Sequence, residues 1–250
     1  MDSNNLLLLF FLIGFGIFFY KYFLLILKKN NPKLLIDDQF GKPQAFHEFP
    51  ISTAGGTGIF LSLLIVFLNF ALYKNIIFFE YLSFCILFFL LGFLDDIKVK
   101  VKPLTRLILM IIFLITLVKY NNFYVSYTGI EILNNWLENS QIFSLIFICL
   151  CFLFVINGAN LIDGYNGLLG IHSLIILSNL FVVNYFSGNI HLANFIFFQI
   201  LILLIFLVFN FPKAKIFLGD SGSYFLGAFI AVSVVKTSIA NPTISPFYFC

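Results

Sequence analysis

The sequence predicts an all-α polytopic integral membrane protein, and three observations carry that prediction. Of its 250 residues, 61% are hydrophobic and 10% are charged, whereas soluble domains run at about 45–50% and about 25%. The mean hydropathy is +1.05. The apolar residues gather into eight runs, most near the roughly 20 residues that a helix needs to cross a bilayer core. So few polar side chains could not coat a water-facing globule of this size. A soluble enzyme, a disordered tail and a nucleic-acid binder are therefore excluded.

Taken in order, the first run is 6–27. No small-residue cleavage site follows it, so it reads as a retained span rather than a signal peptide. Seven more follow at 57–73, 76–94, 104–118, 141–157, 167–185, 192–211 and 223–240. Together they form one transmembrane domain over 1–250, with no repeat and no soluble domain. The segment 119–140, containing Tyr124–Gly129 and Trp136, is the one sizeable loop on its side and is expected to form a hairpin with an interfacial anchor. Cys85, Cys149 and Cys151 lie inside apolar runs and Cys250 is the last residue, so the cysteines read as apolar filler with neither metal-site nor disulfide spacing.

Alternating the connections places 28–56, 95–103, 157–166 and 212–222 on one face. That face carries Lys28, Lys29, Lys33, Lys42, Lys98, Lys100, Lys102, Lys213 and Lys215, with Lys21 and Arg106 at adjoining helix ends; the other face has only Lys74, Lys119 and Lys236. Eleven cations against three make the first face cytoplasmic and put the N-terminus outside. Asp37, Asp38, Asp95, Asp96, Asp163 and Asp220 fall on that same face, leaving Asp2 outside. Acidic residues do not obey the positive-inside rule, so topology alone does not account for them.

Three polar clusters sit on those loops. Asp95 and Asp96 end the run Leu91-Gly92-Phe93-Leu94, with Lys98, Lys100 and Lys102 beyond. Adjacent carboxylates repel unless a divalent cation, a Lys or a shared proton relieves them; a solvated helix end is the plainer alternative. Val99 excludes the D-D-x-x-D pattern. In Asn157-Gly158-Ala159-Asn160-Leu161-Ile162-Asp163-Gly164-Tyr165-Asn166-Gly167-Leu168, the polar residues Asn157, Asn160 and Asp163 recur every three positions, roughly one helix face, among glycines that expose backbone. Helix caps and close helix packing would produce the same residue types. In Lys215-Ile216-Phe217-Leu218-Gly219-Asp220-Ser221-Gly222-Ser223, the glycines let N–H groups turn toward an anion, Ser223 could cap the next helix and Asp220 could hold a metal; a plain Gly/Ser turn is the alternative. Three aspartate-bearing loops on one membrane face suit magnesium-assisted transfer involving a diphosphate.

These residues resemble the polyprenyl-phosphate N-acetylhexosamine-1-phosphate transferases. Gly92 to Asp96 matches G-x-x-D-D, Asn157 to Leu168 matches N-x-x-N-x-x-D-G-x-x-G-L, Lys215 to Ser223 matches K-x-F-x-G-D-x-G-S, and His47-Glu48-Phe49-Pro50 through Gly55-Gly56 resembles the first cytoplasmic loop. Ser52 and Thr53 stand where that loop usually has Pro and Arg. The resemblance implies a ten-span bacterial inner-membrane enzyme with a cytoplasmic site, in which a UDP-N-acetylhexosamine gives its sugar 1-phosphate to undecaprenyl phosphate and releases UMP. It implies catalytic roles for Asp95, Asp96 and Asp163, Mg²⁺ at Asp220 and Asn160, substrate contacts from His47, Asn157, Lys98 and Lys215, and a homodimer as a candidate assembly. The Asp95-Asp96-Ile97-Lys98 segment and the short link to Arg106 favour UDP-GlcNAc or a related deoxy-N-acetylhexosamine, and an initiator of O-antigen or surface polysaccharide, over the phospho-MurNAc-pentapeptide branch. The ninth and tenth spans and the His-rich loop before the tenth are expected to be missing, so that these 250 residues would insert in the membrane with little activity. A secondary transporter would instead carry its acids near mid-membrane, and a non-catalytic scaffold would leave the Gly and Asp spacing unexplained.

Overall fold

The computed structural model describes residues 3–30, 35–37, 50–99, 101–125 and 127–249. Apolar sequence in a bilayer must satisfy its own backbone hydrogen bonds, and helices do so. The long helices are α1 (Ser3–Asn30), α2 (Gly55–Lys74), α3 (Phe79–Asp96), α4 (Pro103–Tyr120), α6 (Gln141–Ile162), α7 (Leu168–Phe186), α8 (Ile190–Asn210) and α9 (Gly219–Ala240). A short α5 (Glu131–Asn139) precedes α6, and a 3-10 turn closes Pro246–Phe249. Seven of these helices have the length and apolarity to cross a membrane. The remaining long helix, α3, is 18 residues long and carries Glu80, Asp95 and Asp96. The eight expected spans thus each coincide with a helix.

Local sequence explains the breaks. Pro103 occupies the first turn of α4, where its missing N–H costs nothing. Ser140 ends α5 and starts α6, its Oγ accepting from Phe143 N at 3.2 Å. Gly167 adopts φ +76 just before α7, and its N–H donates to Asn210 Oδ1 at 2.6 Å.

Three boundaries differ from expectation. Asn157–Ile162 continues α6 instead of forming a loop, Asp95 and Asp96 are the last residues of α3, and Gly219–Gly222 is the first turn of α9. In each case a polar helix end projects beyond the apolar run that hydropathy detects. Segment 119–140 contains the helix α5, with no strand among its described residues, so the expected hairpin is replaced.

The helix α9 is the axis of the bundle, packed by α2, α3, α6 and α7. Its most apolar stretch is 83% buried, against 17% for that of α1 and 22% for that of α4. Buried small residues, including Gly222, Gly227, Ala228 and Ala231, line it, the composition that lets membrane helices approach closely. A Cβ at Gly227 would stand 2.7 Å from Ile156 Cα on α6, and one at Gly92 would collide with Asp220 backbone. Polar bridges join the same helices: Tyr81 Oη donates to Ser233 Oγ at 3.0 Å, and Asn184 Nδ2 to Thr237 Oγ1 at 2.7 Å. Rings fill the rest, with Phe60 stacked on Phe89 at 4.1 Å and Phe195 among Phe67, Phe78, Tyr81 and Phe229.

Two short strands complete the end where α9 begins. β1 (Ile36–Asp37) pairs antiparallel with β2 (Ile51–Ser52), and Ser52 bridges in parallel to Ile216. Phe217 N donates to Ser52 O at 2.7 Å, and Gly55 N and Gly56 N donate to Phe217 O and Leu218 O at 3.0 and 2.7 Å. The chain entering α2 is thereby fastened to the chain entering α9.

Candidate active site

The cluster is built around the first turn of α9. A helix start leaves backbone N–H groups without partners, and here the partner comes from another helix. Asp96, at the end of α3 and 9% exposed, accepts from Asp220 N through Oδ1 at 2.9 Å and from Ser221 N through Oδ2 at 3.0 Å. Gly219, at φ +79, lets the chain turn tightly there, because a Cβ would stand 2.7–2.8 Å from Thr53 O and the Asp96 carboxylate. The anion that the Gly219–Gly222 backbone was expected to receive is therefore the protein's own Asp96.

Asn160 on α6 reaches the same turn, its Nδ2 donating to Asp220 Oδ1 at 2.9 Å and to Ser223 Oγ at 2.8 Å. Ser223 Oγ donates in turn to Asp220 O at 3.1 Å. The expected capping role of Ser223 is thus corrected: Asp96 caps α9, and Ser223 links Asn160 to the helix. Asp95, adjacent to Asp96, forms a close ion pair with Arg106 at the start of α4. Arg106 Nη1 also donates to Tyr224 Oη at 2.8 Å, a two-way bridge that a guanidinium fork makes and an ammonium does not.

Asp163 follows the end of α6. Burial pushes its carboxyl well above the ordinary range, and the charges of Asp220 and Asp96 add to the shift. Asp96, Asp163 and Asp220 thus share one electrostatic neighbourhood. Among the described residues, no three His, Cys, Asp or Glu side chains converge into a preformed metal cage. A one- or two-carboxylate site completed by phosphate oxygens and water is the usual way for Mg²⁺ to bind beside a phosphate, and Asp220 would supply the carboxylate; Asn160, expected as a second ligand, turns its Nδ2 rather than its Oδ1 toward Asp220 and so orients that carboxylate instead.

Other expected residues lie differently. Asn157 is turned onto its own helix, donating to Leu153 O at 2.8 Å and facing Met110 Sδ at 3.7 Å, so it does not join Asn160 at Asp220. Lys98 and Lys215 are exposed beside the cluster-bearing ends of α3 and α9. His47 lies outside the described residues. Sequence reasoning passed over Tyr224 and Asn210 and used Arg106 only as a topology cation and as the end of the short link from Asp96. Tyr224 directly follows the Gly-Asp motif, whereas nothing local marks Asn210, which holds Gly167 N and donates to Ile216 O at 2.9 Å. Two cavities lie elsewhere: an apolar groove between α6 and α9, and a recess of about 550 Å³ around the Glu80–Lys236 ion pair, and neither is lined by any of these aspartates.

Comparisons with known proteins find relatives of the chain. A phospho-N-acetylmuramoyl-pentapeptide-transferase of Dictyoglomus turgidum is 40% identical over 177 residues, covering 67% of this chain and 55% of that protein. The enzymes of the same name from Listeria monocytogenes and Sulfurimonas denitrificans are 36% identical over 160 residues and 31% over 175, each across 58% of this chain and 47% and 48% of their own. The chain spans about half the length of the curated relatives it matches. The sequence profile of glycosyl transferase family 4 covers residues 78–238, which include α3, α6 and the start of α9 with Asp95, Asp96, Asn160, Asp163 and Asp220, and the chain belongs to that family.

Proposed function

We propose that the protein transfers a sugar 1-phosphate from a UDP-sugar to a polyprenyl phosphate at the membrane surface. The observation that supports this most is the joining of Asp96, Asn160 and Asp220, from three separate motifs, at the first turn of α9. In the net reaction an oxygen of the acceptor phosphate bonds to the sugar-bearing phosphorus of the donor while that phosphorus loses its bond to UMP. Mg²⁺ at Asp220 would screen the diphosphate charge and favour UMP as leaving group. Asp95 is suited to orient the acceptor phosphate or take its proton, and Arg106 fixes its carboxylate. Asp96 keeps the Asp220 turn in place, and Asn160 holds the Asp220 oxygen.

For the donor, the names of the relatives favour UDP-MurNAc-pentapeptide over the UDP-GlcNAc suggested by the short Asp96–Arg106 link. Exchange of radiolabelled UMP into each UDP-sugar, using membranes containing the protein and undecaprenyl phosphate, tests both points. Mg²⁺-dependent exchange with the MurNAc-pentapeptide donor is expected, lost in Asp220→Ala. Exchange with UDP-GlcNAc alone would restore the O-antigen-type reading, and undiminished activity in Asp220→Ala would remove the metal assignment.

A further inference from the structure

The helix α5 lies at the bundle end opposite the aspartates, between the end of α4 and the start of α6. Its sequence, Glu131-Ile-Leu-Asn-Asn-Trp-Leu-Glu-Asn139, is two-sided at helical spacing. Leu137 is buried against the bundle and Leu133 half-buried, while Ile132 and Trp136, one turn apart along the adjoining edge, are 67% and 58% exposed. Glu131, Asn135 and Glu138 occupy the opposite side and are exposed.

The edge is rigidly presented. Asn134 Oδ1 accepts from Thr128 N and Oγ1 at 2.8 and 2.7 Å, and Thr128 O accepts from Ser245 Oγ at 2.6 Å, tying α5 to the segment after α9. Trp136 packs edge-on against Phe143, with centroids 5.5 Å apart. From there the exposed apolar surface continues down α6 in steps of four residues, Ile142, Ile146, Leu150 and Phe154, at 73%, 54%, 45% and 73% exposure. A stripe of that length and apolarity on a spanning helix is suited to face lipid, and the Ile132–Trp136 edge would extend it at the membrane boundary, where indole rings concentrate.

We propose that α5 is an interfacial helix, seated with Ile132 and Trp136 among the phospholipid ester and upper acyl groups and with Glu131 and Glu138 toward water. Between Tyr120 and Phe143 these two glutamates are the only charged side chains. Helix α5 therefore carries no cation of its own for an anionic headgroup, Lys119 lying on α4, and the lipid it suits is zwitterionic. Seated this way, α5 fixes the depth of α6, the helix that carries Asn160 at its far end.

Trp136 is the sole tryptophan of the chain, so its emission reports this contact directly. The protein is reconstituted in phosphatidylcholine vesicles whose acyl chains carry bromine either near the ester end or near the chain terminus. Bromine near the ester end should remove most of the emission, bromine at the terminus much less, and iodide in the buffer little. A seat roughly 5–10 Å into the boundary has that signature. Strong iodide quenching without lipid quenching would overturn the proposal by placing the ring in water. Stronger quenching from the chain terminus would overturn it by placing the ring in the hydrocarbon core. Lipid quenching that appears only when protein is diluted in lipid would show that a second copy covers the edge. Adding phosphatidylglycerol should not deepen the quenching, and a marked increase would contradict the zwitterionic assignment. Ile132→Ser should shift quenching from lipid toward iodide, whereas a structural role inside the bundle would leave both unchanged.

Discussion

Adjacent in sequence, Asp95 and Asp96 are held by different partners, and substitution should separate them. Asp96→Ala leaves the N–H groups of Asp220 and Ser221 without their acceptor. Losing a cap and stranding buried donors costs about 2 kcal/mol, so thermal melting in detergent should reveal a clear loss of stability. Asp95→Asn removes a partly exposed ion pair with Arg106, worth at most about 1 kcal/mol. Melting should change little while UMP exchange falls on the order of 100-fold or more, the scale of a lost acid-base group. If both variants lost activity only in step with stability, Asp95 would have no role in the reaction. Asp163 gives a pH signature. Its folded carboxyl titrates above its unfolded value of about 3.9, so the fold favours the protonated form. That contribution is complete below the unfolded value and is lost as pH rises through the raised one. With divalent cations chelated, Asp163→Asn should flatten the decline in melting temperature as pH rises above the unfolded carboxyl value of about 3.9; an unchanged slope would show that Asp163 is not strained by its surroundings. The spacing of Asn160 and Asp220 made them legible as candidates. The cap was not legible, because the carboxylate and the N–H groups it accepts from are 124 and 125 positions apart.

At the scale of elements, the site depends on how closely α3 approaches α9. A Cβ at Gly92 would run into the backbone of Asp220 and Ser221, which cannot yield as a flexible side chain would. Gly92→Ala should therefore push apart the two elements that Asp96 joins, with an overpacking cost of about 1–3 kcal/mol. Melting and exchange should fall together, and Gly158→Ala serves as the control because nothing lies within 4 Å of its added Cβ. Equal behaviour of the two variants would show that the close approach is unimportant. Hydropathy located every long helix because each carries a long apolar run. It stopped short at Asn157–Ile162 and Gly219–Gly222, where helix persists into polar sequence stabilised by contacts between helices. The same limitation hid α5, whose nine residues alternate polar and apolar in a helical period too short to stand out within a loop.

For the whole molecule, orientation is the remaining expectation with a direct test. Helix order puts the ends of α1, α3, α6 and α8 and the starts of α2, α4, α7 and α9 at one pole, and the hydrogen bonds among Asp96, Asn160 and Asp220 bring three of these ends together. At that pole stand Lys98, Lys102, Arg106, Lys213 and Lys215, and at the other Lys74, Lys119 and Lys236, the last paired with Glu80 at 2.7 Å. Cations near helix ends resist translocation far more than carboxylates do, so the aspartate pole should be cytoplasmic, where nucleotide sugars are made. A reporter active only in the cytoplasm should work when inserted after Lys213, and one active only outside should work within 122–139. Inserting the second reporter at the boundary of α5 rather than inside it keeps the Thr128–Asn134 brace intact. The opposite pattern would place the candidate site away from its UDP-sugar and would overturn the proposed transfer together with the orientation. Activity of both reporters at both positions would mean that the cations do not fix one topology, and the site would then have to be located by accessibility labelling of the aspartate pole.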